Sequence, residues 1–178
     1  MKSKITKKEY EEIYEMLDKV SPVDFDCGKI CGAACCQDIY GEDMGMYLLP
    51  GEDKVHDRHD PWMIWFKEDA RNYDFPDSWT GTLYYLRCAD PSKCKRNKRP
   101  IQCRTFPLLP DLDENGVLTL IYDDTQLPYS CPLIESKAEL NGDFISTTMK
   151  AWERLIKDPL IYDYVKAESE KRREKEND

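Results

Sequence analysis

Eight cysteines carry most of the chemistry in this chain, and they fall in three groups. Cys27, Cys31, Cys35 and Cys36 come first, Cys88, Cys94 and Cys103 follow, and Cys131 stands alone before Pro132. Structural zinc sites take four thiolate or imidazole ligands, and iron–sulfur clusters are held mainly by four thiolates. Eight thiols therefore fill two such sites without remainder, or one binuclear centre. The gaps match neither the two-residue spacing of zinc ribbons nor the ferredoxin run, so spacing leaves zinc, iron and an iron–sulfur cluster all open. The adjacent pair Cys35–Cys36 narrows the geometry. Neighbouring side chains diverge along a strand or a helix, which predicts that these two thiols serve two metals, or two irons of one cluster. Buried free thiols and a vicinal disulfide are the bland alternatives.

Other residues fit around such a centre. Gly28 and Gly32 interrupt the first group, as expected where chain wraps tightly and needs positive φ. Lys93, Lys95, Arg96, Lys98, Arg99 and Arg104 surround the second group. Four thiolates on a divalent ion leave a formal charge of −2, which nearby cations offset. Most of the lysines read as a solvated loop. Arg99 and Arg104 are the two expected to turn inward beside the centre, because a guanidinium holds several acceptors in fixed geometry. His56 and His59, the only histidines, read as exposed surface residues in an acidic stretch. Nucleotide-loop, serine-hydrolase and zinc-protease motifs are absent from the sequence.

Composition sets the setting for this chemistry. The 178 residues carry a net charge of −9, which argues against nucleic acid or an anionic membrane as the main partner. No run approaches the ~18 apolar residues of a membrane span. The positive N-terminus leads into Glu9, Glu11 and Glu12 in place of an apolar signal, so the expected address is cytoplasmic. There, thiols stay reduced and clustered cysteines point to metal more than to disulfides.

The elements that position these groups are legible in outline. Thr6-Lys7-Lys8-Glu9 has the form of a capping box, and Tyr10, Ile13, Tyr14, Leu17 and Val20 continue a helical stripe over 7–19. Tyr47-Leu48-Leu49 and Thr82-Leu83-Tyr84-Tyr85-Leu86 read as strands, the second leading into Cys88. Asp60-Pro61 marks a turn ahead of the bulky run 62–66. The turn Asp113-Glu114-Asn115-Gly116 precedes a strand over 117–122. A helix over 142–157 stops at Asp158-Pro159, and a second runs from 160 into a charged tail expected to be solvated and to fray. These elements predict an α+β fold with short strands: one domain over 1–178, its metal core at 27–132 and its helical tail at 142–178.

On these residues the chain resembles the CxxCxxCC-type (YkgJ-type) cysteine-cluster family, described as zinc- or iron-chelating proteins. The likeness rests on the early cluster ending in Cys35-Cys36, on Cys88, Cys94 and Arg99-Pro100-Ile101-Gln102-Cys103-Arg104-Thr105-Phe106-Pro107, and on Cys131-Pro132. It covers residues 27–132. The resemblance implies metal chelation by the cysteines and no settled reaction. One departure is that the first gaps hold three residues where the family name specifies two, which bears on which sulfurs share a metal. A similar cysteine region in flagellin lysine N-methylases implies an enzymatic alternative. However, the first cluster does not have the CxxxCxxC spacing of radical enzymes, and no S-adenosylmethionine site is recognisable.

The expected function is therefore metal binding, structural or chelating. One alternative is an iron–sulfur redox or methyl-transfer enzyme. Another is a metal-dependent interaction module with a surface around Trp62, Trp65 and Trp79.

Overall fold

Thr6 opens the first helix as its sequence implies. Its hydroxyl accepts from the Glu9 amide at 3.2 Å, while the Glu9 carboxylate accepts from the Thr6 amide at 2.7 Å. This reciprocal cap satisfies two otherwise orphaned donors and fixes the start of helix α1, Lys7–Asp18. Tyr10, Ile13, Tyr14 and Leu17 form its buried face. The computed structural model describes residues 1–25, 28–37, 44–90, 93–123, 127–135 and 139–176. Cys27 lies outside the described residues.

After α1 come the one-turn helix α2 (Gly28–Cys31) and the strands β1 (Gly45–Tyr47), β2 (Met63–Asp69) and β3 (Thr82–Cys88). These strands form an antiparallel sheet in the order β1-β3-β2, with Met63 opposite Cys88. A short helix α3 (Ile101–Thr105) leads to the hairpin β4 (Leu108–Leu112) and β5 (Leu118–Tyr122). Gly116 adopts φ +77° at that turn, a conformation glycine takes without strain. Helices α4 (Pro132–Glu135), α5 (Gly142–Leu155) and α6 (Pro159–Glu176) complete the chain. Short antiparallel strands with helices segregated around them make this an α+β fold.

The largest apolar cluster joins α1 to α5 and α6 through Ile13, Leu17, Trp152, Leu155, Ile161 and Val165, and it reaches Ile101 in α3. The helix carrying Cys103 and Arg104 is thus seated on the main core. Trp62 and Trp79 are core residues as well, 3% and 2% exposed. Trp79 stacks on Phe75 and donates to the Leu160 carbonyl at 2.8 Å. Trp65 lies between His56 and Tyr84. Trp62 and Trp79 are therefore packing residues, while Trp65 is partly exposed, so of the three only Trp65 is open to a partner.

The charged tail also departs from expectation. Ser169 is buried and donates to the Val165 carbonyl while accepting from the Leu112 amide. Arg172 meets Asp111 at 2.9 Å and the Pro110 carbonyl, and Arg173 bonds the Leu112 carbonyl. The end of α6 is clamped to β4, because a polar stripe can dock by hydrogen bonds where it lacks apolar side chains.

Candidate metal centre

The first cysteine group is shaped by two consecutive left-handed residues, Gly32 (φ +64°) and Ala33 (φ +58°). Such a φ costs alanine roughly 1 kcal/mol. It turns the chain from α2 into a 3₁₀ turn over Ala34–Cys36, closed by Cys36 N–H to the Ala33 carbonyl at 2.9 Å. The Gln37 amide donates to the Gly32 carbonyl across the same turn. Gly28, by contrast, is helical. The turn corrects an expectation. Cys35 and Cys36 do not diverge: their sulfurs lie 3.7 Å apart. That is well beyond a disulfide bond of about 2.05 Å. It matches the edge of a thiolate tetrahedron, since four sulfurs at about 2.3 Å from one ion sit ~3.8 Å apart. Adjacency therefore no longer argues for two metals by itself.

The second group arrives from the sheet and from α3. Cys88 ends β3, held in register by Met63 and followed by an Ala89 amide bond to the Trp62 carbonyl at 2.8 Å. Its thiol is influenced by both Cys36 and Cys94. Arg99 places its Nε 3.2 Å from the Cys94 sulfur. Cys103, in the middle of α3, feels the charges of Cys36, Cys88 and Cys35. Cys36, Cys88, Cys94 and Cys103 thus form one neighbourhood from three separate segments. Cys131 is buried at the start of α4, where its carbonyl accepts from Ile134 and Glu135, and its thiol is influenced by Cys31 and Cys35.

Proton affinities follow this arrangement. The Cys88 thiol and the Arg99 guanidinium outweigh burial at Cys94 and lower it to about 7. At Cys36 the bond from Cys35 pulls down, but the bond to Cys88 and burial together lift it to about 11. Cys88 stands near 11 too, lowered by Cys36 and raised more by Cys94 and burial. Burial first, then Cys36, Cys88 and Cys35, push Cys103 well above the ordinary thiol range. The Cys36 bond does the same to Cys35. Several protonated sulfurs sharing hydrogen bonds in a line are what a thiol cluster holds before a cation replaces its protons.

Among the described residues, no group of three or more histidine, cysteine, aspartate or glutamate side chains is arranged to hold a metal ion as it stands. The donor set has the right chemistry and paired contacts of the right length, and its hydrogen-bonded line would have to close into a shell around an ion.

Of the two arginines singled out, Arg99 meets a cysteine sulfur and Arg104 does not. Arg104 is 1% exposed, with Nη1 on the Asp18 carboxylate at 2.5 Å and on the Tyr14 carbonyl, and Nε on the Arg99 carbonyl at 2.8 Å. It also lies 4.2 Å above the Tyr14 ring. Arg104 ties α3 and the Arg99 loop to α1, so its effect on the thiols runs through position. Arg104→Ala should cost about 2–4 kcal/mol in urea unfolding, since buried acceptors and the stacked stem lose their partner. Arg104→Lys should recover under half of that, because an ammonium cannot span all three acceptors. Equal stability of both variants with the parent would remove this role.

Among the other cations, Lys98 pairs with Asp60, Lys93 with Asp90 at the surface, and Arg96 donates to the Val20 carbonyl. His59 is exposed as expected, its side chain 95% open, but His56 is not. The His56 side chain is 2% exposed, 2.9 Å from the Tyr14 hydroxyl and 4.0 Å from Glu52.

Glu52 is the residue that sequence reasoning missed. It is fully buried and accepts from Tyr14 Oη at 2.6 Å, from the Ile101 amide at 2.7 Å and from the Leu49 amide at 2.9 Å. Burial alone would raise its carboxyl. His56, Tyr14 and Ile101 together overcome that and hold it below the usual range. The one readable signal was Pro50-Gly51 followed by an acid, a helix-start pattern that Gly51 completes with φ +87°.

No protein-family model, curated protein or solved structure matches the chain.

Proposed function

We propose that this chain binds zinc or iron, the latter alone or as an iron–sulfur cluster, through clustered cysteine thiolates in a structural or chelating role. One observation carries the reading. Cys36, Cys88, Cys94 and Cys103 reach one neighbourhood from three segments, and a guanidinium lies on one of the sulfurs. Core packing does not require thiols to meet thiols, whereas thiophilic metals do. Cys31, Cys35 and Cys131, with Cys27, bring the thiols to eight, and the Cys35–Cys36 contact joins the two groups. Arg99 would offset the charge that four thiolates leave on a divalent ion. The likeness to the cysteine-cluster family points the same way, as does a cytoplasmic setting, where thiols remain reduced. Among the described residues no helix is long and apolar enough to cross a membrane.

Anaerobic purification followed by metal and acid-labile sulfide analysis tests the reading. Stoichiometric zinc in a colourless protein, or iron in a brown one, is the expected result. Protein free of both metals would end it. Alkylation after anaerobic denaturation in chelator should modify all eight thiols by mass. Two or more retained disulfides would assign the cysteines to cross-linking instead.

A further inference from the structure

Cys94 and Arg99 also line a cleft of about 980 Å³. The opposite wall is the segment from Val20 to Phe25 and the first turn of α5. Phe25 is 52% exposed. Val20, Pro22 and Val23 give the cleft an apolar side, and Lys19 adds a positive charge. Two acids line it as well: Asp24, which accepts from the Asn141 side-chain amide at 2.9 Å, and Asp143 in the first turn of α5. Arg99 is only partly committed. Its Nε donates to Cys94, and its two Nη groups make no hydrogen bond with any described residue. A half-buried guanidinium with its terminal pair uncommitted matches a carboxylate in bidentate geometry.

We propose that this cleft binds a small organic carboxylate, gripped by the Arg99 fork beside the Cys94 sulfur. Carbon atoms of the ligand lie against Val20 and Val23, and its carboxylate takes the two Nη groups while Nε stays on Cys94. Such a ligand reaches the thiol cluster at its Cys94 corner, where a carboxylate can assist metal exchange. That consequence rests on the thiolate–metal reading, but binding in the cleft does not.

The test is calorimetric titration of the full chain with succinate, and with succinamide as the neutral isostere, on protein as purified and on reduced metal-free protein. Succinate should bind both forms and succinamide neither. Arg99→Gln should weaken succinate by about tenfold or more, the scale of a lost charge-assisted pair. Gly142→Glu gives an independent check that does not disturb Arg99. A Cβ at Gly142 meets nothing within 4 Å, and an acid there suits the first turn of α5, so this variant should fold normally. Its carboxylate occupies the cleft and should weaken succinate by a similar factor, whereas Arg71→Gln at a distant exposed turn should not. If Arg99→Gln fails to fold, Gly142→Glu decides alone. Absence of succinate binding, or binding unchanged in Gly142→Glu, overturns the proposal. Arg99-dependent binding by a chain that purifies without metal would sustain the cleft and reject the metal reading.

Discussion

Glu52→Ala should lower stability by about 3–5 kcal/mol, the scale of breaking a buried charged network, and reduce Tm by roughly 6–20 °C for a chain of this size. The reason is the number of donors that would lose their acceptor together. Tyr14 brings α1, Ile101 brings α3, and Leu49 brings the segment after β1. Each is buried, so water cannot replace the lost oxygen without opening the core. Glu52→Gln keeps one acceptor and the volume, and should lose roughly half as much. The pH dependence has a definite sign. A carboxyl held below its unfolded value of about 4.3 contributes fully above that pH, and its contribution disappears as pH falls through the depressed folded value. Acid titration of the parent and Glu52→Gln should therefore converge at low pH. Parallel curves down to pH 2 would show that Glu52 is not ionised in the fold.

Cys103→Ser should reduce retained metal more than any surface cysteine change, with apparent affinity falling beyond the 10–100-fold typical of lost outer-shell partners. Cys103 sits on the shortest route between the thiols and the core: Glu52 fixes Ile101, and Arg104 fixes the other side of the same turn. A serine there keeps the helix and loses the thiolate. Stability of metal-free protein should fall by less than about 1 kcal/mol, since one sulfur replaced by oxygen creates little cavity. Metal-loaded protein should lose far more. Equal losses in the two states would make Cys103 a packing residue, and unchanged metal content would remove it from the centre.

How far the sequence reached depended on whether a feature is local. The cap at Thr6, the stripe on α1, the turn at Gly116, the strand into Cys88 and the break at Asp158-Pro159 are each specified within a few residues, and all appear. The strand β4 carries Pro110, which a hairpin edge tolerates but which hides the pattern. The run 62–66 supplied bulk without alternation, so β2 was not predicted as a strand although its start was marked by Asp60-Pro61. At the centre, residue types and grouping were legible, and their pairing was not. The contact between Cys35 and Cys36 depends on φ at Ala33, for which alanine gives no sign. Glu52 drew no reading and His56 was expected to be exposed, because nothing nearby in sequence reveals that Tyr14 and Ile101 close over this site.

The contacts that seat the thiol-bearing helix also set an order of assembly. Asp158 accepts from Ser3 and from the Lys4 amide, partners 155 and 154 positions away, and Arg154 meets Glu12 across 142. Helix α1 can meet Pro50, Glu52 and Arg104 earlier, but its packing is complete only once α5 and the start of α6 have been synthesised. At about 5–20 residues per second that interval is of the order of ten seconds on the ribosome. High contact order slows folding after release as well, because loop closure must precede its reward. By the end of that interval Cys27 to Cys103 have emerged while the packing against α5 and α6 is still missing. The nascent chain is consequently most exposed to oxidation and to adventitious metal before its last two helices exist.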